Sequence, residues 1–435
     1  MNEVMTIENK DLNFYSREFF NHRMEELALP PILEEKIKAA FSRFSDMPLP
    51  NRKMEEWRKT DISGIAFNDY IPLAGEKTVS KPQETPGIAR MEIASGKTKV
   101  MISKKFLATG LIFTPLSQAL ERYPDLLENF FDTTGSSDDF AKFRNWNTAF
   151  FNRGVFIYIP DNVTLESPLE ILIKGDLEGG NLIMRNLVVA GKNSKSLVKF
   201  KYLEENNSSS ALINVVDEII CLENSRLEVL NLQNCGNNTN FFHIGGANQK
   251  KDSELNWNTL VFGGKLHKSY LGGEIAGRGA NTRLNGIYYA TGTQNFDLRT
   301  MQIHRAGNTN SDLLFKGAVQ DKAHTVYQGM IQVKEGTSQV DAYQTNKNLI
   351  LNSGAKADSI PGLEILADDV KCSHGATIGH IDEEEIFYLR SRGLPEKEAR
   401  EMIIAGFFED VLARVHDDSL TEIVRELIEK KIKEN

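Results

Sequence analysis

Cysteine is scarce in this 435-residue chain, which contains only Cys221, Cys235 and Cys372. Three cysteines cannot supply the paired framework of a disulfide-rich secreted protein. The first residues carry neither a basic segment nor an apolar run, so no export signal is expected. No stretch reaches the ~20 apolar residues of a membrane-spanning helix. We therefore expect a cytoplasmic protein in a reducing compartment.

Concentrated positive charge is also missing, because the net charge of −9 is spread along the chain. Nucleic acids and anionic membranes bind to blocks of lysine and arginine, so neither is expected as a partner. Gly263-Gly264-Lys265 lacks the spacing and the Ser/Thr of a phosphate-binding loop. No Ser-His-Asp order and no helical H-x-x-x-H is visible. These absences predict that the chain has no motor or cofactor site of its own.

Helical patterns dominate the first part of the chain. Apolar residues three and four apart run through residues 11–44, interrupted at Pro30-Pro31, and recur at 117–131 and 138–151. Residues 77–87 read as a loop. Short strands are expected between this loop and the helical pattern at 117–131.

From Gly154 onward the chain consists of short runs rich in Val, Ile, Leu, Phe and Tyr, separated by small polar residues. Most of these breaks, such as Asn193-Ser194, Asn206-Asn207 and Asn224-Ser225, recur after about 13 to 18 residues. A steady period of this kind predicts stacked units that bury their apolar faces against each other. A parallel β-helix with two segments per coil fits best. A β-sandwich or a propeller would need shorter spacing or a stronger blade motif.

The chain becomes helical again after Ile381. Asp382 with Glu385 predicts a first helix that ends at Gly393. Pro395 opens a second helix, and Ser419 with Glu422 caps a third. The apolar stripe expected on the second helix consists of Ala399, Met402, Ile403, Phe407, Val411 and Val415. These helices should pack on the end of the solenoid, as a cap over the last coil, or on another protein.

Cys372 and His374 are the candidate site residues. Residues two apart on a strand face the same way, with Cα atoms roughly 6.5 Å apart. A thiolate and an imidazole suit iron or zinc. Two ligands cannot close a four-coordinate site, so this is either half of a metal or sulfur site or a buried cysteine beside a hydrogen-bonded histidine.

Two other sets of residues have simpler interpretations. Cys221 and Cys235 lie in strand-like runs and are expected to be small core residues. Asp368-Asp369 could be the acid pair of a secreted-type β-helix carbohydrate-active enzyme. Adjacent carboxylates on a strand point to opposite faces, which weakens that second interpretation.

Four stretches together resemble the SufB/SufD family of iron–sulfur cluster assembly proteins. They are NRKMEEWRKTDIS (51–63), NWNTAFFNRGVFIYIPDNVTLESPLEI (145–171), GRGANTRLNGIYYATGTQNFDLRT (277–300) and KCSHGATIGHIDEEEIFYLRSRGLPEKEAREMIIAGF (371–407). The motif KCSHGATIG (371–379) resembles the SufD branch more than the SufB branch. The preceding stretch at 343–351 lacks the cysteine that is typical of SufB.

The resemblance implies a mainly β protein: a right-handed parallel β-helix over residues 151–379, between a mainly helical region at 1–150 and a helical region at 380–435. It implies a non-enzymatic scaffold subunit that associates with a SufB homologue and with SufC, an ABC-type ATPase. When alone, the chain could pair with a second copy of itself.

By the same resemblance, helices around 382–415 would dock SufC, and strand edges near 340–378 would pair with SufB. Cys372 and His374 would serve iron acquisition or nascent cluster formation at that interface. No cofactor would stay bound to the isolated chain, and a transient cluster or iron would be held in the complex. The remaining alternative is a purely structural solenoid that docks an ATPase.

Overall fold

The computed structural model describes residues 15–27, 29–73, 82–94, 97–175, 177–204 and 210–433. The helices are α1 (Arg17–Glu26), α2 (Pro31–Asp46), α3 (Lys104–Leu107), α4 (Leu116–Arg122), α5 (Pro124–Phe130), α6 (Ala141–Phe150), α7 (Glu383–Ser391), α8 (Glu396–Leu412) and α9 (Asp418–Lys433). None of them is long and apolar enough to cross a membrane within the described ranges.

Strands make up most of the remaining chain. They are β1 (Ile71–Pro72), β2 (Ala89–Ala94), β3 (Lys97–Ile102), β4 (Ile112–Pro115), β5 (Arg153–Ile159), β6 (Leu169–Lys174), β7 (Gly180–Ala190), β8 (Lys195–Leu203), β9 (Leu212–Cys221), β10 (Arg226–Asn234), β11 (Asn240–Gln249), β12 (Glu254–Val261), β13 (Leu266–Ile275), β14 (Asn281–Ala290), β15 (Asn295–His304), β16 (Asn310–Val319), β17 (His324–Val333), β18 (Val340–Ile350), β19 (Lys356–Ile365) and β20 (Val370–His380).

The strands from β5 to β20 form a parallel β-solenoid of eight coils, which confirms the predicted fold class. Each coil gives one strand to a first sheet, made of the odd-numbered strands β5 to β19, and one to a second sheet, made of the even-numbered strands β6 to β20. Register partners on successive coils are 26 residues apart for Asn240 and Leu266 and 32 apart for His324 and Lys356. The predicted period, with two segments per coil, is therefore confirmed.

Turn residues explain the regular path. Asn162, Asn193 and Asn224 all have φ near +60° (63°, 55° and 56°), a left-handed conformation that asparagine tolerates well. Their side chains also stack, because Asn193 Nδ2 donates to Asn162 Oδ1 at 2.9 Å and Asn224 Nδ2 donates to Asn193 Oδ1 at 2.8 Å. The predicted break at Asn206-Asn207 lies outside the described residues.

The N-terminal region covers the outer face of the first sheet. α1 follows its N-cap Ser16, whose hydroxyl accepts from Phe19 N at 3.2 Å, and α2 starts at Pro31, after the predicted interruption at Pro30-Pro31. α6 is almost entirely buried between α2 and that sheet. Residues 11–14 of the predicted helical stretch and part of the predicted loop at 77–87 lie outside the described residues.

A buried ionic cluster fastens this region to the solenoid. Arg185 of β7 and Glu218 of β9 are both fully buried and paired on the outer face of the first sheet. Glu218 also accepts backbone N–H groups of Asp132 and Thr133, each at 3.0 Å, and Asp132 accepts from Arg185 at 3.0 Å. These interactions stabilise the two charges that burial would otherwise penalise.

The C-terminal helices lie along the outer face of the second sheet. Ile404 and Phe408 of α8 and Val424 of α9 join a core with Ile287 and Tyr289 of β14. The expectation of a cap over the last coil is therefore wrong: the helices flank the side of the solenoid.

Two local predictions for these helices need correction. On α8, Ile404 and Phe408 are buried, whereas Met402 is 53% exposed. Two rows of apolar residues run side by side on this helix, and the row with Ile404 and Phe408 is the one that packs against the sheet. Asp417, not Ser419, caps α9: its Oδ1 accepts from Leu420 N at 2.7 Å.

The two ends of the solenoid differ. At the first coil, β4 pairs antiparallel with β5, and the β2–β3 hairpin extends the second sheet beside β6. At the last coil, β19 and β20 are the terminal strands of their sheets, each with one paired edge and one free edge in the described part of the chain.

Candidate functional site

The candidate residues lie on the inner face of the last strand, at the open end of the solenoid. On β20, Cys372 is in register with Ala342 and His374 with Gln344 of the preceding coil. Ala342 and Gln344 are buried inside the solenoid. Because alternate residues share a face, Cys372 and His374 belong to the same inner row as these neighbours.

Cys372 is only partly accessible. It packs against a small apolar cluster of Ile331, Val333, Val340 and Ala342. Partial burial, and after it the carboxylate of Asp341, raise the pKa of the Cys372 thiol. The sulfur is therefore protonated at neutral pH, and binding a metal or accepting a sulfur atom requires loss of that proton.

His374 is exposed, and Gln344 directly behind it is fully buried. Neither the amide oxygen nor the amide nitrogen of Gln344 has a hydrogen-bond partner among the residues that the structure describes. A Cβ on Gly329 would collide with Gln344 Oε1 and with the Tyr327 hydroxyl, so glycine makes room for both polar groups. The position behind His374 is thus polar and tightly enclosed.

The interior of the last coils is polar in general. The Tyr288 hydroxyl donates to Asn348 Oδ1 at 2.6 Å, and Asn346 Nδ2 donates to the Tyr288 hydroxyl at 2.9 Å. Ser359 Oγ donates to Asn346 Oδ1 at 2.7 Å. The end that carries Cys372 is therefore hydrogen-bonded, whereas most inner positions of the first coils are apolar, apart from the hydrogen-bonded Asn186, Asp217, Asn231 and His243.

The remaining predicted residues lie elsewhere. Asp368 and Asp369 are exposed in the bend between β19 and β20, not on a strand as the sequence suggested. Cys221 and Cys235 are buried in the solenoid core, as predicted, and burial raises the pKa of the Cys221 thiol to about 12. Across the described ranges, no group of three His, Cys, Asp or Glu side chains could hold a metal ion.

The free edges of the last coil differ in their capacity to pair. Lys356 N donates to Ala323 O and Leu366 N to Val333 O, so even-numbered residues of β19 face β17 and odd-numbered ones face outward. Pro361 is odd-numbered and interrupts the row of donors on the free edge of β19. Proline is typical of edge strands at such positions.

The free edge of β20 has no proline. Asp341 N donates to Thr309 O, and Asp341 is in register with Lys371. Continuing this alternation, odd-numbered residues of β20 donate to β18, and even-numbered ones present their N–H groups to the free edge. The backbone donors of Cys372 and His374 therefore belong to the edge that can accept another strand.

A second exposed surface lies on the C-terminal helices. Phe387 is 73% and Tyr388 is 56% exposed on α7, and Met402 is 53% exposed on α8. Exposed aromatic side chains of this size are typical of protein-binding surfaces.

The sequence did not predict two of these features. Gln344 and Pro361 carry no motif, and their importance follows from register alone. The polar run at 344–348 was the available signal, since its alternate members Gln344, Asn346 and Asn348 form one inner row.

Comparisons with known proteins show the family of the chain. Residues 173–407 match the model of the family described as "SUF system FeS cluster assembly, SufBD core domain", and residues 90–171 match "SufBD protein N-terminal region". The chain is 27% identical to the iron–sulfur cluster assembly protein SufD of Bacillus subtilis, covering 96% of this chain and 98% of the relative. It is also 27% identical to SufD of Escherichia coli, with coverages of 86% and 88%. A Staphylococcus saprophyticus protein of the SufBD family is 29% identical, with coverages of 87% and 84%. The chain belongs to the SufB/SufD family, and within that family it is most like SufD.

Proposed function

We propose that this chain is a non-enzymatic, cytoplasmic subunit of a SUF iron–sulfur cluster assembly complex. Its last coil pairs with a SufB homologue, and its C-terminal helices dock a SufC-type ATPase. One observation carries the proposal: the inner row with Cys372 and His374 lies on the strand whose other edge is free to pair.

The half-site follows from ligand counting. Cys372 and His374 supply two ligands, and a closed four-coordinate site needs two more. A homologous strand beside β20 would bring side chains of a second chain to the open end of the solenoid, next to Cys372 and His374. Iron or the nascent cluster is the cargo of this site, and the isolated chain holds none of it stably.

His374 is the stronger of the two candidates. It is exposed, and its imidazole can bind iron without first losing a proton when it is neutral. The Cys372 thiol must be deprotonated against a raised pKa. We therefore assign iron acquisition to His374 and a supporting role to Cys372.

The test measures cluster assembly by the purified complex with His374→Ala or Cys372→Ala in this chain. We expect His374→Ala to slow assembly by roughly tenfold or more while the complex stays intact. Ser373→Ala is the matched control, because Ser373 lies between the two residues on the opposite face of β20. Wild-type rates in the His374→Ala complex would overturn the proposal, and rates preserved in both variants would favour a purely structural solenoid.

SufC docking is tested separately on α7. Phe387→Ser removes the most exposed aromatic side chain without touching the packed face of the helix. We expect the ATPase to be lost from a native pull-down while the SufB homologue is retained. Retention of both partners at wild-type amounts would place the ATPase elsewhere.

A further inference from the structure

A cleft of about 780 Å³ separates the segment 52–65 from the beginnings of five strands of the first sheet. This volume lies within the roughly 300–1,000 Å³ of small-molecule sites. Its floor is a row of residues in register: Asn240 on β11, Leu266 on β13, Asn295 on β15, His324 on β17 and Lys356 on β19. Neighbouring members of such a row are ~4.8 Å apart, so they can contact one ligand together.

The lining of the cleft is positively charged. It contains four cationic side chains, Arg52, Lys59, Lys265 and Lys356, and two carboxylates, Asp61 and Asp358, which leaves an excess of two positive charges (4 − 2). This excess stands out in a chain whose net charge is −9. A concave surface with an excess of positive charge attracts negatively charged ligands.

The cations are not all used by the protein itself. Asp358 accepts from His324 Nε2 at 2.8 Å and pairs with Lys59 at 3.4 Å, so its charge is compensated internally. The side chains of Lys265 and Lys356 make no hydrogen bond or ion pair with any residue that the structure describes. The ammonium groups of Lys265, which precedes Leu266, and of Lys356, the last member of the row, are thus available to an anion.

The floor also offers an acceptor and an apolar contact. Asn295 Oδ1 is buried and receives no hydrogen bond from the described residues. Leaving a buried acceptor unpaired costs free energy, which a ligand hydroxyl could recover. Leu266, Ile65 and Ile350 supply apolar surface beside it. The lining therefore suits a ligand with a negative charge, hydroxyl donors and a small organic body.

We propose that this cleft binds a phosphate ester of a hydroxylated small molecule, such as a sugar phosphate. The phosphate lies between Lys265 and Lys356, and a hydroxyl donates to Asn295 Oδ1. This cleft does not include Cys372 or His374, and its binding of the ester does not depend on cluster assembly.

The test is calorimetric titration of the full-length chain with ribose 5-phosphate and with inorganic phosphate at low salt. We expect saturable binding of ribose 5-phosphate, weakened about tenfold by Lys265→Gln or by Lys356→Gln. Lys99→Gln, an exposed lysine on β3 outside the cleft, is the matched control and should leave the affinity unchanged. Asn295→Leu should weaken the sugar phosphate and spare inorganic phosphate.

Three results would overturn the proposal. The first is no saturable binding of ribose 5-phosphate at millimolar concentration. The second is wild-type affinity in all three lysine variants. The third is binding of inorganic phosphate as tight as that of the ester, which would reduce the cleft to a site for simple anions.

Discussion

Replacing Ala376 by proline should block docking at the free edge of β20 while leaving the chain folded. Ala376 is an even-numbered residue of β20, so its N–H faces the free edge and takes no part in the ladder to β18. Proline removes that donor and places its ring where a partner strand would lie. Gly375 before it is already in a strand, the conformation that a following proline requires.

The expected magnitude follows from the ladder. Six even-numbered residues of β20, from Val370 to His380, present N–H groups to the free edge, and that of Ala376 lies between those of His374 and Ile378. Losing one hydrogen bond costs ~0.5–1.5 kcal/mol, and the ring also weakens the bonds on either side. A total loss of ~2–4 kcal/mol in binding free energy corresponds to a dissociation constant that is ~30 to ~1,000 times larger.

The assay measures affinity for the SufB homologue by biolayer interferometry and self-association of the chain by sedimentation. Thr377→Pro is the control, because Thr377 is odd-numbered and donates to β18. It should lower the free energy of unfolding by about 1–3 kcal/mol. A folded Ala376→Pro chain that binds the SufB homologue and a second copy of itself with wild-type affinity would refute the assignment of the docking edge.

Three further outcomes are expected. Glu218→Ala removes the buried carboxylate that pairs with Arg185 and leaves that arginine only the carboxylate of Asp132 among the described residues, so it should cost ~3–5 kcal/mol in urea unfolding; a loss below ~1 kcal/mol would contradict the stabilising role of this buried ionic cluster. Burial lowers the pKa of His304 from 6.5 to about 4. The unfolded chain therefore binds the extra proton first, and stability should fall by up to ~1.4 kcal/mol per pH unit as the pH drops from about 6.5 to about 4, with a shallower slope for His304→Gln. A thiol reagent should modify Cys372 in the native chain and the two buried cysteines only on unfolding; rapid reaction of all three would show an open core.

The solenoid was predictable because its signal is repeated. Asn193 and Asn224 mark turns that need a left-handed residue, and each recurs one coil later, so errors in single positions do not accumulate. That Cys372 and His374 share one face was predictable because the period of a strand is two. That this face is the inner one follows only from the register with β18.

Features that depend on the choice between near-equal alternatives were not predictable. Ile403 and Ile404, like Phe407 and Phe408, are neighbours of the same type, and the sequence gives no preference between the two faces they define. Asp417 and Ser419 are both good helix caps, and the chain path decides between them.

Sites made by distant residues left no local pattern at all. Arg52 and Lys356 meet in one cleft although 304 positions separate them (356 − 52), and each alone is an ordinary surface cation. The outward direction of Pro361 likewise requires the register of β17 and β19.

The spacing of register partners by about one coil has a consequence for synthesis. Each coil can add to the one before it as soon as some 30 further residues have left the ribosome, so the solenoid can grow from its N-terminal end like a zipper. β20 is the last strand to join, and it carries both Cys372 and His374. A chain that stops short therefore exposes the edge of an earlier strand, without these two residues.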